Sequence, residues 1–323
     1  MLARLASRLV AGAAVVLGVV ALTFLLLHVA PGDPVELMLG QTATPEQVVA
    51  QRRALGLDRA LPAQFAGWVG RFARGDWGTS IAKGRPVRAI LGAAWPATVR
   101  LVGLSLVLSY LIGLIIGAIQ AARSRSRTDT ALSIISVTLF AVPGFWLALM
   151  LVLVFTYWAR MLPAFGAAGL DADYLRGSAW LIDQLRHLAL PLATLTLIGI
   201  GGAARFVRGA MLETLSQPFI TTARAKGLTP RRVVGRHALR NALTPVVTLL
   251  GLSLPVLFSG AVFVEAVFAW PGVGRILVEA VQARDYPVVM AATTVSAILV
   301  VAGNLLADIL SAWLDPRVRN AFG

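Results

Sequence analysis

The sequence predicts an all-α, polytopic membrane protein, on three observations. Its 323 residues are 58% apolar and only 14% charged, with a mean hydropathy of +0.78, far from the composition of soluble domains. The apolar residues fall into uninterrupted blocks near the roughly 20 residues that cross a bilayer as helix, where a soluble fold would need periodic polar faces. No stretch shows the alternating segments of about ten residues that build a membrane β-barrel. A soluble enzyme, a coiled coil and a disordered chain are thereby excluded.

Six transmembrane helices follow in order, over residues 9–30, 99–122, 131–157, 188–204, 243–264 and 288–310. The first is longer than a signal peptide, and Pro31 follows Ala30 with no small-residue cleavage site, so it reads as a retained helix. In the second, Gly113 and Gly117 form a small-xxx-small pair suited to close helix packing. Pro143, Pro191, Pro245 and Pro255 should break or kink their spans, where neighbouring groups re-satisfy the freed carbonyls.

The formal charge of +14 would suggest nucleic acid in a soluble protein. Here it sets orientation and meets lipid headgroups, so no nucleic-acid partner is expected. Segments 1–8, 123–130, 205–242 and 311–323 carry 2, 3, 8 and 2 basic residues, against 3 and 2 in the short loops 158–187 and 265–287. The positive-inside rule then makes both termini cytoplasmic. The chain has no cysteine, which removes disulfides, thiolate nucleophiles and Cys-ligated metal sites together.

Two connections are unusual. The outer segment 31–98 opens with Pro31-Gly32-Asp33-Pro34, a turn fixed by two prolines around a permissive glycine. Thr44-Pro45-Glu46-Gln47 then predicts a helix start, with Thr44 as N-cap, Pro45 at the first helical position and Gln47 closing a capping box. Leu55, Leu57, Leu61, Phe65, Trp68 and Phe72 recur at near-helical spacing, predicting a second helix around residues 62–74. Such a segment is either a helical cap on the outer membrane face or a docking surface for an outside partner.

The loop 205–242 is punctuated as two helices meeting at a turn. Ser216 or Gln217 before Pro218 is a start signal, Gly227 a stop, and Thr229-Pro230 a second start leading into the fifth span. The piece over residues 218–226 is shorter than the 12 to 15 residues at which an isolated helix becomes marginal in water, so something must hold it. Leu215, Phe219 and Ala223 form a narrow apolar row. That row fits a groove on a cytoplasmic protein, while the eight basic residues of the loop fit anionic headgroups equally well.

Chemistry is nearly absent. No Gly is followed by Lys, so the chain holds no P-loop and is not itself an ATPase. His28, His187 and His237 are scattered without metal-ligand spacing and read as interfacial or hydrogen-bonded structure. Asp308 is the one carboxylate inside a predicted span, close enough to its end to reach the interface. The acidic or histidine relay of a proton-driven carrier is therefore missing.

The chain resembles the inner-membrane permease subunits of the dipeptide, oligopeptide and nickel class of ATP-binding-cassette importers, over nearly its whole length. Pro31-Gly32-Asp33-Pro34 is similar to the family's signature after its first span. Leu55-Gly56-Leu57-Asp58, Leu61-Pro62, Gln64 and Gly75-Asp76-Trp77-Gly78-Thr79-Ser80 resemble its outer domain. Thr222-Ala223-Arg224-Ala225-Lys226-Gly227-Leu228, continuing through His237-Ala238-Leu239-Arg240-Asn241-Ala242 to Pro245, resembles the motif that engages the ATPases. Thr222 stands where the general Glu-Ala-Ala form of that motif has Glu, a common substitution in this subfamily. Phe268-Ala269-Trp270-Pro271-Gly272-Val273-Gly274, Arg284-Asp285-Tyr286-Pro287 and Leu314-Asp315-Pro316-Arg317 are similar too.

The resemblance implies a type I importer permease fold. It divides the chain into an N-terminus and first span (1–30), an outer helical insertion (31–98), a five-helix core (99–310) that includes the loop 205–242, and a cytoplasmic tail (311–323). It makes Phe219, Thr222, Ala223, Arg224, Ala225, Lys226 and Gly227 an ATPase-coupling helix. It offers Asp33, Asp76, Trp77, Trp270, Pro271, Asp285 and Tyr286 as residues of outer docking or gating. The implied partners are a second, homologous permease, two ATPase subunits or domains that bind ATP and magnesium, an extracytoplasmic solute-binding protein and the bilayer of a bacterial inner membrane. No cofactor is expected in this chain. Peptides are the cargo the resemblance favours, with nickel, a metal chelate or glutathione as alternatives; the reading from a different class is a secondary carrier working without ATPases.

Overall fold

The structure is a computed structural model and describes residues 2–29, 35, 39, 43–54, 56–243, 246 and 261–314. The Pro31–Pro34 turn with Asp33, the prolines Pro245 and Pro255, and the sequence from Asp315 onward lie outside these residues, as does most of the fifth expected span.

Helices dominate, and among the described residues the only β pairing is an isolated bridge between Thr79 and Pro86. In chain order they are α1 (Leu2–Val29), α2 (Pro45–Ala54), α3 (Leu61–Ala73), α4 (Val87–Ala122), α5 (Arg127–Ala141), α6 (Gly144–Val152), α7 (Gly177–Leu215), α8 (Pro218–Ala225), α9 (Pro230–Arg232), α10 (Val273–Gln282) and α11 (Tyr286–Leu314). A π-helical turn, Leu153–Trp158, continues α6, and another, Val233–Ala238, continues α9. Residues 261–267 are also helical.

Segments of α1, α4, α7 and α11 are long and apolar enough to cross a membrane, and α5 with α6 form a fifth candidate bent by 101°. The chain is thus a multi-pass membrane protein. The third expected span, 131–157, is therefore two helices. Pro143 lacks the N–H that would continue the ladder, and Val142 before it is extended, with ψ 129°. Two spans are longer than expected: α4 begins at Val87, well before residue 99, and α7, expected as the shortest span, runs for 39 residues and carries Pro191 in its interior without ending.

The chain forms two compact units, one from Leu2–Thr98 with Pro271–Val301, the other from Val99–Trp270 with the residues from Ala302 on. In the first, Thr44 N donates to Gln47 Oε1 at 3.0 Å and Gln47 N to Thr44 Oγ1 at 3.3 Å, the reciprocal capping box expected at the start of α2. On α3, Phe65 meets Phe24 edge-on at 5.4 Å, and Trp68, Phe72 and Trp77 stack in series at 5.0 and 5.3 Å. Below them Val87, Leu91 and Ala94 of α4 pack with Val273, Ala280, Val288 and Val289.

In the second unit, α5 and α6 pack on α7. Glycines set the close approaches: a Cβ on Gly113 would lie 2.6 Å from Ala203 Cβ, and one on Gly117 2.6 Å from the Ala204 carbonyl oxygen. The small-xxx-small pair is thus where α4 and α7 touch, as its spacing predicts. A buried cluster then gathers Leu106, Tyr110 and Ala121 of α4, Val207 and Met211 of α7, Ile220 and Ala223 of α8, and Val233, Ala238, Ala242 and Val246.

Candidate functional site

The loop after α7 follows its punctuation. Gln217, with ψ 147°, is the N-cap of α8 and Pro218 its first residue, where a missing N–H costs nothing. At the other end Leu228 N donates to Ala223 O at 3.3 Å and Gly227 N to Arg224 O at 2.9 Å, while Gly227 takes φ +76°. These are the two bonds of a Schellman cap with glycine in the left-handed position. Leu228 then packs on the same cluster as Ala223, the apolar contact that accompanies such a cap.

Burial shows what holds so short a helix. Ile220 is fully buried and Ala223 is 6% exposed, both within the cluster under α7. Burying a side chain the size of Ile220 stabilises by about 1.5–3 kcal/mol. The expected row of Leu215, Phe219 and Ala223 is therefore not one outward face. Leu215 and Ala223 turn into the chain's own core, and Phe219 alone of the three stands out, 42% exposed. Ile220 shares the buried face because i and i+3 lie together on a helix. Thr222, Arg224, Ala225, Lys226 and Gly227 are exposed, as are Arg231, Arg232, Arg236 and Arg240 beyond the turn. The outward surface of α8 is thus one aromatic ring amid threonines and cations.

Beside this loop lies a clamp that sequence reasoning did not single out. Arg208 of α7 grips Asp129 of α5 through two parallel bonds of 2.8 Å, Nε to Oδ1 and Nη2 to Oδ2. Asp129 also accepts from Arg125 N at 3.0 Å and Ser133 Oγ at 3.4 Å, and Ser126 caps the helix by accepting from Asp129 N at 3.2 Å. Gln120, at the end of α4, donates to Ser133 at 3.0 Å. Ser126-x-x-Asp129 carried a readable N-cap signal. Nothing in the sequence paired that aspartate with one arginine among 29 basic residues.

The outer candidates divide by burial. Asp285, 2% exposed, accepts from Ser80 Oγ, from Ile81 N at 3.1 Å and from Ala82 N at 3.2 Å, so it ties the 80–82 turn to the chain after α10. Glu279 joins the same region to Lys83 at 3.0 Å and to Arg275 at 2.8 Å. Partial burial acts to raise its carboxyl, but the hydrogen bonds from Lys83 and Arg275 outweigh this and hold it below the ordinary carboxylate range. Tyr286 donates its hydroxyl to Leu27 O at 2.7 Å. Asp76 accepts from Gly78 N at 3.0 Å and is exposed, Trp77 is half-buried on Phe72, and Pro271 is exposed. In the other unit Trp270 is fully buried, with the Arg100 guanidinium 5.1 Å from its ring centre. Trp270 and Asp285 accordingly act inside the chain.

His28 hydrogen-bonds Phe24 O at 2.8 Å and Gln64 Oε1 at 3.3 Å, and His187 lies within α7 against Asp183. Among the described residues no three His, Asp or Glu side chains gather as a metal would require.

Comparison with known proteins agrees with this architecture. Residues 109–320 match the family model of the binding-protein-dependent transport system inner membrane component, and residues 1–102 match its N-terminal companion. The oligopeptide transport system permease protein AppB of Bacillus subtilis is 39% identical over 309 residues, 94% of this chain and 95% of its own. The probable D,D-dipeptide transport system permease protein DdpB of Escherichia coli is 39% identical over 323 residues, 96% of this chain and 95% of its own. The di/tripeptide permease DppB of Pseudomonas aeruginosa is 37% identical, with 94% of each chain covered. Among solved structures, the inward-facing methionine ABC transporter MetNI aligns with a TM-score of 0.55 at 19% identity, over 71% of this chain and 98% of its own. An amino acid ABC transporter with histidines aligns with a TM-score of 0.55 at 13% identity, over 70% and 94%. The two structures share the fold; the sequence relatives and the family models share the lineage. This chain belongs to the inner-membrane permease components of binding-protein-dependent transport systems.

Proposed function

We propose that this chain is one transmembrane permease subunit of an ATP-binding-cassette importer that carries di- and oligopeptides across a bacterial inner membrane. It is not an enzyme; ATP and magnesium are handled by separate ATPase subunits. The observation that carries the reading is α8, a helix of eight residues, too short to persist alone, held by Ile220 and Ala223 from one side and bare on the other. A helix rooted in the transmembrane core and presented to solvent is a lever for another protein.

In this reading both termini and the 205–242 loop are cytoplasmic, supported by the basic residues concentrated there. Phe219, Thr222, Arg224, Ala225 and Lys226 meet the ATPase, Gly227 sets the turn, and Ala223 roots the helix. A second, homologous permease completes the pathway, which opens alternately to either side as the ATPase pair closes and separates. A solute-binding protein delivers cargo to the outer face, where Asp76 and Pro271 are the exposed candidates. Trp77 and Tyr286 shape the surface beneath, and Asp285 stiffens it; Trp270, buried within the other unit, acts inside that unit. Peptide is the cargo because the relatives that match over nearly the full length are peptide permeases by name.

The test is ATP hydrolysis by the purified assembly in lipid, with its binding protein loaded in turn with a dipeptide pool, longer peptides, glutathione and a nickel chelate. Stimulation by peptides is the expected result. Stimulation by the chelate or glutathione alone would move the cargo, and failure of any ATPase to co-purify would return a secondary carrier to first place.

A further inference from the structure

The Asp129–Arg208 clamp joins helices 79 positions apart in sequence, and its setting gives it more than a packing role. The carboxylate spends its acceptor sites on α7, on the α4–α5 turn and on its own helix, through Arg208, Arg125 N and Ser133 respectively. Ser133 in turn receives Gln120 of α4. One anion thus ties the α4–α5 turn and the start of α5 to α7 about two turns before that helix ends.

The clamp is also the end of a stripe. On α7, Gly201, Arg205 and Arg208 follow i, i+4, i+7 and share a face. A Cβ on Gly201 would lie 2.6 Å from Ser136 O, the Arg205 guanidinium sits 4.1 Å from the Phe140 ring centre, and Arg208 holds Asp129. Asp129, Ser136 and Phe140 in turn share a face of α5. Sliding α7 along α5 by a turn would break all three contacts at once. The residue beside Arg208, Val207, belongs with Met211 to the cluster that roots Ile220 and Ala223 of α8. Beyond the stripe, α5 passes into α6 through the 101° bend at Val142 and Pro143.

We propose that Asp129 and Arg208 are positioning residues of transport: the clamp fuses α5 to α7, so that displacement of α8 reaches the bent α5–α6 pair instead of being absorbed by movement of α7 alone. A bidentate ion pair suits this task because it fixes register more than it adds stability. The inference rests on the permease reading above.

The test uses the whole importer in liposomes, with partner ATPases and binding protein, and follows peptide uptake and ATP hydrolysis together. Asp129→Asn should leave assembly and ATP hydrolysis in place and lower the peptide imported per ATP about tenfold, the scale of a typical coupling between sites. Arg208→Lys, which keeps the charge but loses the planar fork, should lower that ratio by less. If Asp129→Asn fails to assemble, the Arg208→Lys ratio decides in its place. A ratio equal to wild type in the assembled variant overturns the clamp, as does a fall in uptake and hydrolysis by the same factor. If the wild-type assembly hydrolyses ATP yet imports no peptide, it is the permease reading that fails.

Discussion

Gly227 takes φ +76°, a conformation that costs a side chain about 1–2 kcal/mol. A Cβ there would meet nothing within 4 Å, so the whole penalty is backbone strain at the cap of α8. Gly227→Val should leave membrane insertion intact and lower transport, whereas Gly227→Asn should be far milder, because Asn tolerates the left-handed region; equal uptake by the valine variant and wild type would refute the role of the turn. This glycine, like the Thr44–Gln47 capping box, was legible because its residue type is the signal. Ala269 and Arg284 adopt φ +48° and +53° in the same kind of cap, with Trp270 N on Glu265 O and Asp285 N on Ala280 O. Neither residue type announces that geometry. The burial of the following Trp270 and Asp285 accompanies it, and burial comes from contacts far away in sequence.

At the scale of the element, α8 has two faces with separate duties. Ile220→Ala removes a fully buried side chain and should destabilise by about 2–5 kcal/mol, read as a lower melting temperature of the purified subunit and faster proteolysis of the 216–229 turn. Phe219→Ala, on the exposed face, should change stability by less than about 0.5 kcal/mol while reducing the ATPase that co-purifies. If the two variants behave alike, the division of faces is wrong. The start and stop of α8 were readable from Pro218 and Gly227. Which face turns inward was not, since Phe219 and Ile220 are both apolar and a helix of two turns offers too short a pattern to choose between them.

For the whole molecule, the contact between α4 and α7 depends on missing side chains. A Cβ on Gly117 would fall 2.7 Å from Val207 Cβ as well as 2.6 Å from the Ala204 carbonyl, so Gly117→Ala forces the helices apart and should cost about 1–3 kcal/mol. Gly103 lies on the same helix with nothing within 4 Å of its Cβ position. Gly103→Ala should therefore be neutral or stabilising by up to about 1 kcal/mol through helix propensity. Thermal unfolding of both variants in detergent checks the pair, and equal melting temperatures would refute the close approach.

The sequence by itself determined the class: apolar blocks of bilayer length leave helices as the available structure, because every backbone group in lipid must be satisfied within its own segment. It also determined the local punctuation of the 205–242 loop, since prolines and glycines act through their own backbones. It marked Pro143 as a break in the third span, where the structure has two helices, but it missed the lengths of α4 and α7, which continue as helix through residues 87–98, 177–187 and 205–215 beyond the blocks read from hydropathy. Tertiary structure alone decided that Asp129 belongs to Arg208, that Asp285 serves the 80–82 turn, and that Ile220 roots α8. Each of these depends on two positions distant in the chain becoming neighbours, and side-chain identity at one of them carries no record of the other.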